Sequence, residues 1–513
     1  MNTSPPWLSP GTWTVRGVAV IGAEGHLVQV AAMNSGATQE PIRLTGLPEI
    51  SVCQTRDRVR AAIVNSGLAW PGGVTVTVRP ESLPKHGSGL DLAIAIAVLT
   101  VAGAVAAVPE RCLFYGELGL DGSLRPVRGV VPAVLAAAHA GCTQAVVPEQ
   151  NAAEAASVSG MTVIPAGSLR DVVAWLRGGC LSSRSAMSAD LTASTLHACP
   201  EGGPDCLAVP PMVRQAAEVS AAGGHHLCLT GPPGAPIPAI AAAVAALMPA
   251  LAREDMVEVT AIHSAAGLLG PGHAVITRPP FRAPHPTITP SAMAGGGQEM
   301  RPGEAALAHR GVLFLADAPE FPRAVLRMLR QPLCDGEIIV ARGGRIVRFP
   351  AAFILIAGIA PCPCRALTDC TCSQAKARRY RGRVSRELGH RIDIWLDLAL
   401  AAPAGDRPEP HRHGIHVSAG RVAAARDRAQ HRLAGTPWRL NSDIPAAELR
   451  RSYLPPPEAM TAVHRAVDLG QISTPTAHRV LRVAWTLADL EGLDHPDQNE
   501  CSQALALHIG GIR

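Results

Sequence analysis

Four cysteines near the middle of the chain have the spacing of a metal site. Cys362, Cys364, Cys370 and Cys372 form the pattern C-x-C-x5-C-x-C within eleven residues. Four thiolates suit one tetrahedral Zn²⁺, provided that the five-residue loop reverses the chain. Four protein ligands leave no open coordination position, so such a zinc would be structural. The alternative is that these are loop or buried cysteines without metal.

A strongly basic segment follows the cysteines. Seven cationic residues lie between positions 376 and 391, and only Glu387 opposes them. Tyr380 is the one aromatic residue available there to stack on a base. The segment predicts either a non-specific, salt-sensitive contact with DNA phosphates or a solvated helix face beside a subunit interface. The residues proposed to contact nucleic acid are Lys376, Arg378, Arg379, Arg381 and Arg383.

The segment HLCLTGPPGAPIP, residues 226–238, has the outline of a phosphate-binding loop between a strand and a helix. A working loop reads G-x-x-x-x-G-K-[ST], and its N–H groups, lysine and hydroxyl hold phosphates and Mg²⁺. Here the second glycine is Pro236, the lysine position is Ile237 and the hydroxyl position is Pro238. These changes predict a loss of several kcal/mol, roughly a thousandfold or more in nucleotide affinity.

What remains of this loop is the run Gly231, Pro232, Pro233 and Gly234. Those four residues are the remnant to which a phosphate could still bind. The alternative is that Gly-Pro-Pro-Gly is only a turn.

The composition limits the classes of protein that this chain can represent. It has 513 residues, of which 47% are hydrophobic and 17% charged, which excludes wholesale disorder and suggests about three domains. The net charge of +5 is too small to identify a nucleic-acid-binding protein. Lysine occurs only at Lys85 and Lys376, so any lysine chemistry must use one of those two positions.

The N-terminal sequence lacks the pattern of a secretory signal peptide. Two long uncharged runs, 92–108 and 235–252, are alanine-rich and predict buried helices rather than membrane spans. The 13 cysteines are therefore expected to be reduced thiols in the cytoplasm.

Composition also divides the chain. Residues 1–18 predict an irregular leader, and 178–205 are a linker rich in Gly, Ser and Thr. Between them, 19–177 alternate strands and helices. A second α/β region covers 206–400, and 401–513 become polar and then helical.

Long ordered segments resemble the YifB/ComM family of magnesium-chelatase-like AAA+ proteins over nearly the whole chain, about 15–508. They include LPEISVCQTRDRVRAAIVNSG (47–67), SLPKHGSGLDLAIA (82–95), RPGEAALAHRGVLFLADAPEF (301–321) and HRVLRVAWTLADLEG (478–492). The resemblance implies a Lon-protease-like α/β domain (19–177), an AAA+ P-loop-type α/β module (206–400) and a C-terminal helical lid (401–513). It also implies homo-oligomeric rings that use ATP and Mg²⁺, and in ComM-type members branch migration of DNA.

Several catalytic positions of the family carry other residues here. The Walker B triplet Leu-Asp-Glu reads Leu-Ala-Asp, so Ala316 replaces the Mg²⁺-binding aspartate and Asp317 replaces the catalytic glutamate with a shorter side chain. The sensor-1 asparagine falls on Ala360 and the sensor-2 arginine on Pro475. Arg391, in HRIDI, retains the arginine-finger position, although it could instead be an ordinary surface or interface arginine.

The Lon-like part also lacks its expected catalytic pair. A Lon-type protease needs a serine activated by a lysine. The serine position falls on Gly89 and the lysine position on Val131. Ser88 and Lys85 are out of register with the motif and are expected to be turn residues, so the sequence predicts no protease.

The predicted function is therefore that of a DNA-processing, AAA+ family member with impaired ATP hydrolysis, whose remaining catalytic candidates are Asp317 and Arg391. Two alternatives stay open. The chain could be a non-enzymatic scaffold or passive ring subunit, or it could be the product of a decaying gene.

Overall fold

The chain folds around two main β-sheets, one in each half of the sequence. The computed structural model describes residues 13–34, 42–83, 85, 87–105, 107–181, 184–185, 209–270, 275–297, 299–342, 345–364, 370–401 and 415–510. The strands of the first half are β1 (Trp13–Ile21), β2 (Glu24–Asn34), β3 (Arg43–Thr45), β4 (Val74–Arg79), β5 (Cys112–Phe114), β6 (Glu117–Leu118), β7 (Leu124–Arg125), β8 (Gln144–Pro148), β9 (Thr162–Ala166) and β10 (Arg184–Ser185). The helices are α1 (Glu49–Asn65), α2 (Asp91–Val101), α3 (Val130–His139), α4 (Ala152–Ala155) and α5 (Leu169–Leu176).

The first sheet has eight strands in the order β10-β9-β8-β5-β1-β2-β4-β3 and mixes parallel with antiparallel pairs. In β4 the buried side chains of Val74, Val76 and Val78 alternate with two threonines, because successive residues of a strand point to opposite faces. Helix α2 packs against β1 and β2 and is buried from Asp91 to Thr100. This confirms the first part of the buried helix predicted over 92–108, but the helix ends at Val101.

Two predicted boundaries differ from the structure. Residues 13–18 are not an irregular leader, since they begin β1, where Val15 and Val18 are buried. Residues 1–12 lie outside the described part of the chain. Within the predicted linker, Arg184 and Ser185 form β10, which pairs with β9 at the edge of the sheet. These two residues are therefore held by backbone pairing rather than being irregular. Residues 186–205 also lie outside the description.

The second half is built on a five-stranded sheet. The strands of this half are β11 (Leu227–Thr230), β12 (Phe281–Arg282), β13 (Gly295–Gly296), β14 (Arg301–Pro302), β15 (Val312–Leu315), β16 (Glu337–Arg342), β17 (Arg345–Pro350), β18 (Ile354–Ile359) and β19 (Ile394–Asp397). Strands β13 and β14 form one separate two-stranded sheet, and β16 and β17 form another. The helices of this half are α6 (Pro211–Gly223), α7 (Ile237–Leu247), α8 (Arg253–Ala266), α9 (Pro290–Ala294), α10 (Glu304–Leu307), α11 (Arg323–Met328), α12 (Pro332–Asp335), α13 (Gln374–Leu388) and α14 (Leu398–Ala401).

This second sheet is entirely parallel, with the order β12-β15-β18-β11-β19. Both faces are covered, so its strands are continuous apolar runs rather than alternating ones. Leu227 and Leu229 pack on the face that holds α6 and α7. Cys228 packs on the opposite face, which holds α11 and α13.

The last hundred residues are helical. They form α15 (Ile415–Arg432), α16 (Ala446–Ser452), α17 (Thr461–Asp468), α18 (Thr474–Glu491) and α19 (Gln498–Ile509). Helix α18 packs against α6, α15 and α19, so the helical region shares its core with one face of the parallel sheet. None of the helices in the described part of the chain has the length and apolar character needed to cross a membrane.

Helix α8 connects the two halves by packing against α3. Its Ser264 carbonyl accepts a hydrogen bond from the Gly129 N–H (2.9 Å), and its Ser264 hydroxyl donates to the Glu154 carboxylate (2.8 Å). Glu154 also accepts from the Asn151 side chain and is only 7% exposed. Burial raises the pKa of Glu154 to about 7, because an ionised carboxylate is costly in this apolar surrounding.

The raised pKa of Glu154 predicts that stability falls as the pH increases. Between its ordinary pKa of 4.5 and about 7, the folded protein holds a proton that the unfolded chain releases, so the free energy of unfolding decreases. The total loss is on the order of 3 kcal/mol. Glu154→Gln should reduce this pH dependence when unfolding is measured by denaturant titration from pH 5 to 8.

The matched control is Glu149→Gln, which removes an exposed carboxylate from the same segment. It should leave the pH dependence as it is in the original chain. An unchanged slope in Glu154→Gln would show that the junction does not contain the protonated carboxyl group.

Candidate functional site

The candidate phosphate loop lies where β11 ends and α7 begins, at the carboxyl-terminal edge of the parallel sheet. This is the place at which α/β proteins bind phosphates, because backbone N–H groups of the loop and of the helix N-terminus converge there. The Gly231 N–H donates to the Ile359 carbonyl of β18 (3.2 Å), which fixes the start of the loop. Gly234 has φ +85°, a left-handed conformation that glycine adopts without strain.

Few N–H donors remain in the second half of the loop. Pro236 and Pro238 have no N–H. The Ala235 N–H donates to the Pro232 carbonyl (3.0 Å), and the Ile237 N–H donates to the Ala235 carbonyl (2.8 Å). From 234 to 238, this leaves the Gly234 N–H as the donor with no acceptor among the described residues.

Hydrocarbon occupies the positions where the family has charged groups. Ile237 and Ala316 both pack against the large core on the α7 face of the sheet. The Ile237 side chain approaches Gly358 of β18, since a Cβ built on that glycine would lie 3.1 Å from Ile237 Cγ2. The loop therefore presents neither the cation for phosphates nor the carboxylate for Mg²⁺ at these two positions.

The two catalytic candidates lie at opposite edges of the sheet. Asp317 is half-buried, follows the carboxyl end of β15, and has φ +53°. Arg391 precedes the amino end of β19. Parallel strands of four residues span about 13 Å, so Arg391 is remote from the loop of its own chain. The structure does not bring these two residues together within one subunit.

A cavity of about 1410 Å³ opens at the amino-terminal edge, away from the phosphate loop. Arg391 and Pro475 line it, together with Arg426, Arg479 and Arg482. Burial lowers the pKa of Arg426 to about 10, and it also lowers the pKa values of Arg479 and Arg482. Sequence reasoning did not select these last three arginines, although the spacing of Arg479 and Arg482 places both on one face of α18.

The four cysteines converge as their spacing predicts. Their Sγ atoms all lie within 4.8 Å of one another, and Cys362 Sγ is 3.0 Å from Cys364 Sγ and 3.4 Å from Cys370 Sγ. None of these four described cysteines forms a disulfide bond. A tetrahedron with Zn–S bonds of about 2.3 Å has edges of about 3.8 Å, so small shifts of the Sγ atoms would accommodate the ion. The donor set and the geometry therefore fit zinc.

The basic segment forms α13, directly after the cysteines. Ser373 caps the helix, because its hydroxyl accepts a hydrogen bond from the Lys376 N–H. Among the five predicted nucleic-acid contacts, Lys376, Arg378 and Arg379 are exposed, whereas Arg381 and Arg383 are half-buried.

The expectation that Tyr380 could stack on a base is wrong. Its ring is only 6% exposed, because this position of α13 faces the sheet.

The residues of the Lon-like motif do not form a catalytic pair. A Cβ built on Gly89 would lie 2.5 Å from the Tyr115 ring, so no side chain has room there. Val131 is fully buried in α3. Ser88 donates to the Glu117 carboxylate, and the Lys85 ammonium donates to the carbonyls of Pro80 (2.6 Å) and Leu83 (3.1 Å). Serine and lysine thus have different partners.

The parallel sheet and the loop at its carboxyl edge form an α/β module of the P-loop type, and matches to known families assign the chain to the magnesium-chelatase class. Residues 208–404 match the family described as "Magnesium chelatase, subunit ChlI". Residues 30–151 match "Subunit ChlI of Mg-chelatase", and 415–508 match "Magnesium chelatase, subunit ChlI C-terminal". These matches cover part of the first sheet, the whole of the second sheet and the C-terminal helices.

Relatives that match nearly the whole chain identify the family within this class. An uncharacterized protein of Mycobacterium tuberculosis is 41% identical over 97% of this chain and 98% of its own length. Competence protein ComM of Haemophilus influenzae is 32% identical over 95% of each chain. The chain belongs to the YifB/ComM family of magnesium-chelatase-like proteins. A Lon protease of Rhizobium meliloti is 24% identical over 32% of this chain, in agreement with the Lon-like part of the expected fold.

Proposed function

We propose that this chain is a ring-forming member of the YifB/ComM family that has lost ATP hydrolysis and works through binding. The observation that carries the proposal is the loop after β11. It retains the shape of a phosphate-binding loop, but Ile237 and two prolines stand where a nucleotide needs a cation, a hydroxyl and N–H donors. ATP and Mg²⁺ are cofactors of the family, and this chain would use them weakly or not at all.

The magnitude of the loss supports this proposal. One hydrogen bond to a charged group contributes about 1.5–3 kcal/mol, and the loop lacks the lysine, two N–H donors and the Mg²⁺ ligands. The remaining donor, Gly234 N–H, would replace only one of these interactions. The carboxylate of Asp317 is one methylene shorter than the family's glutamate, which weakens its contact with an attacking water.

Calorimetry of ATP binding tests the proposal directly. The original chain should show no binding at micromolar concentrations with or without Mg²⁺. A repaired variant with Pro236→Gly, Ile237→Lys, Pro238→Thr and Ala316→Asp should bind, because it regains the donors, the cation and the metal ligand. Micromolar binding by the original chain would contradict the proposal and favour a working motor.

A second candidate function is that of a passive subunit that serves a neighbour in a ring. The position of Arg391 favours it, since this arginine lies at the opposite edge of the sheet from the loop of its own chain. In a ring, the amino-terminal edge of one subunit could face the loop of the next. Arg391 would then stabilise the phosphates bound by its neighbour.

Mixing two forms of the chain tests whether Arg391 acts on the nucleotide of a neighbouring subunit. Adding Arg391→Ala to the repaired variant should weaken ATP binding by roughly tenfold or more, because one charge-assisted hydrogen bond is lost. Addition of the original chain, which has Arg391 but a defective loop, should restore the affinity. Failure of the original chain to restore binding would exclude action on a neighbour.

We propose further that the cysteine quartet holds one structural Zn²⁺. The ion would fix the segment before α13 and would perform no catalysis, because four thiolates complete its coordination. Such a site requires reduced cysteines, as the expected cytoplasmic location would provide.

Elemental analysis after chelator-free purification should give about one zinc per chain. Cys370→Ser should lower the zinc content and the melting temperature, because it removes a ligand from the quartet. Cys334→Ser is the matched control, since Cys334 is another exposed free cysteine outside the quartet. Well under one zinc per original chain would contradict the metal site.

The family resemblance also supports a role in DNA processing. The part that this chain would play is to hold DNA non-specifically through α13, within a homo-oligomeric ring. The exposed cations Lys376, Arg378 and Arg379 support this role.

A further inference from the structure

Helix α11 lies beside α13 and extends its basic surface. The two helices pack in contact, and the Arg383 guanidinium donates to the Phe321 carbonyl just before α11 (3.3 Å). We name the combined surface the arginine face. Its cations are Arg323, Arg327, Arg330, Lys376, Arg378, Arg379, Arg381, Arg383 and Arg386. Within the described segments 318–330 and 374–388, Glu320 and Glu387 are the acidic residues that oppose them.

Glu387 organises the α11 side of this face. Its carboxylate lies 2.6 Å from Arg323, 3.4 Å from Arg327 and 3.0 Å from Arg330. The hydrogen bond from Arg323 lowers the pKa of Glu387, so the carboxylate stays ionised at neutral pH. One negative charge meets three positive ones, which leaves an excess of two.

The guanidinium groups of Arg323 and Arg327 in α11, and of Arg330 just after it, remain accessible while Glu387 holds them. The side chain of Glu387 is 4% exposed, whereas those of Arg323, Arg327 and Arg330 are 66%, 55% and 44% exposed. A guanidinium has five N–H donors, so a contact with one carboxylate leaves others for a second anion. These arginines are therefore held in place and still present donors to solvent.

The arginine face offers no aromatic ring. Tyr380 is buried, and among the exposed large hydrophobic side chains of the described residues the aromatic one is Trp13, in the first sheet. Proteins that hold single strands obtain about 1–3 kcal/mol per base from stacking on aromatic side chains. A surface with cations alone instead favours the ligand with the higher density of phosphates, which is duplex DNA.

We propose that the arginine face binds the phosphate backbone of double-stranded DNA, with α11 and α13 contributing jointly. This proposal deepens the DNA-holding role and rests on it. Helix α13 is about 22 Å long, which corresponds to six or seven base pairs. The contacts are to phosphates, so the binding has no sequence preference.

The experiment is fluorescence anisotropy of the full chain with a labelled duplex of about 20 base pairs and with a single strand of equal length. Titrations from about 50 to 200 mM salt give the slope of log affinity against log salt, which is about −0.9 per phosphate contact. The original chain should bind the duplex about tenfold more tightly than the single strand.

The α11 contribution is tested with Arg323→Gln combined with Arg327→Gln. This double variant should bind the duplex about tenfold or more weakly, and its salt slope should be smaller by about two. Arg421→Gln is the control, because Arg421 is a comparably exposed arginine (43%) on α15, against the opposite face of the sheet. It pairs with Glu218 and Glu491, and its replacement should not change the slope.

Three results would overturn the inference. Tighter binding of the single strand would show that the ligand is not duplex DNA. An unchanged salt slope in the α11 variant, together with a reduced slope in Arg378→Gln with Arg379→Gln, would restrict the contact to α13 and leave the DNA-holding role intact. No binding of either DNA at low salt would overturn both the inference and that role. Circular dichroism of each variant verifies that the helices have formed.

Discussion

The parallel sheet of the second half is the constraint that decides which residues can act together. All five strands run in one direction, so every loop after a strand lies at one edge and every segment before a strand lies at the other. The phosphate loop, Ala316, Asp317 and Ala360 share the carboxyl edge. Arg391 lies at the amino edge beside a large cavity. Only a second copy of the chain could therefore bring an Arg391 side chain to the phosphate loop.

Proline at the carboxyl edge removes backbone N–H donors without disturbing the fold. The backbone of β11 needs its N–H groups for the ladder with β18 and β19, and it has them. The loop and the start of α7 do not need internal partners, so Pro236 and Pro238 are tolerated there structurally. The same substitution removes donors that only a ligand would use. A chain whose loop lacks these N–H donors can therefore still fold.

Almost all of the basic residues of this chain other than histidine are arginines, and they make many of its polar contacts. Arg432 makes two 2.6 Å contacts with the Asp489 carboxylate and lies over the Trp485 ring, with its carbon Cζ 4.4 Å from the ring centre. A planar guanidinium can pair with a carboxylate and stack on a ring at the same time, which an ammonium cannot do. The same property allows three arginines to share Glu387 while remaining partly exposed.

The sequence by itself determined the family, the α/β class, the principal strands and the cysteine quartet, because these depend on local patterns. Continuous apolar runs predict buried strands such as β15 and β18. The four cysteines lie close enough in the chain to converge through a short loop. It misplaced the start of β1, because proline and serine before Trp13 conceal the alternation that follows.

Only the tertiary structure decided how distant segments combine. Tyr380 is buried because one face of α13 packs on the sheet, which a list of basic residues does not reveal. The arginines of α11 join those of α13 through Glu387, although more than forty residues separate the two helices. The burial that raises the pKa of Glu154 likewise involves α8, whose Ser264 contacts it from the other half of the chain. Burial and long-range contacts set these properties, and neither is encoded in local spacing.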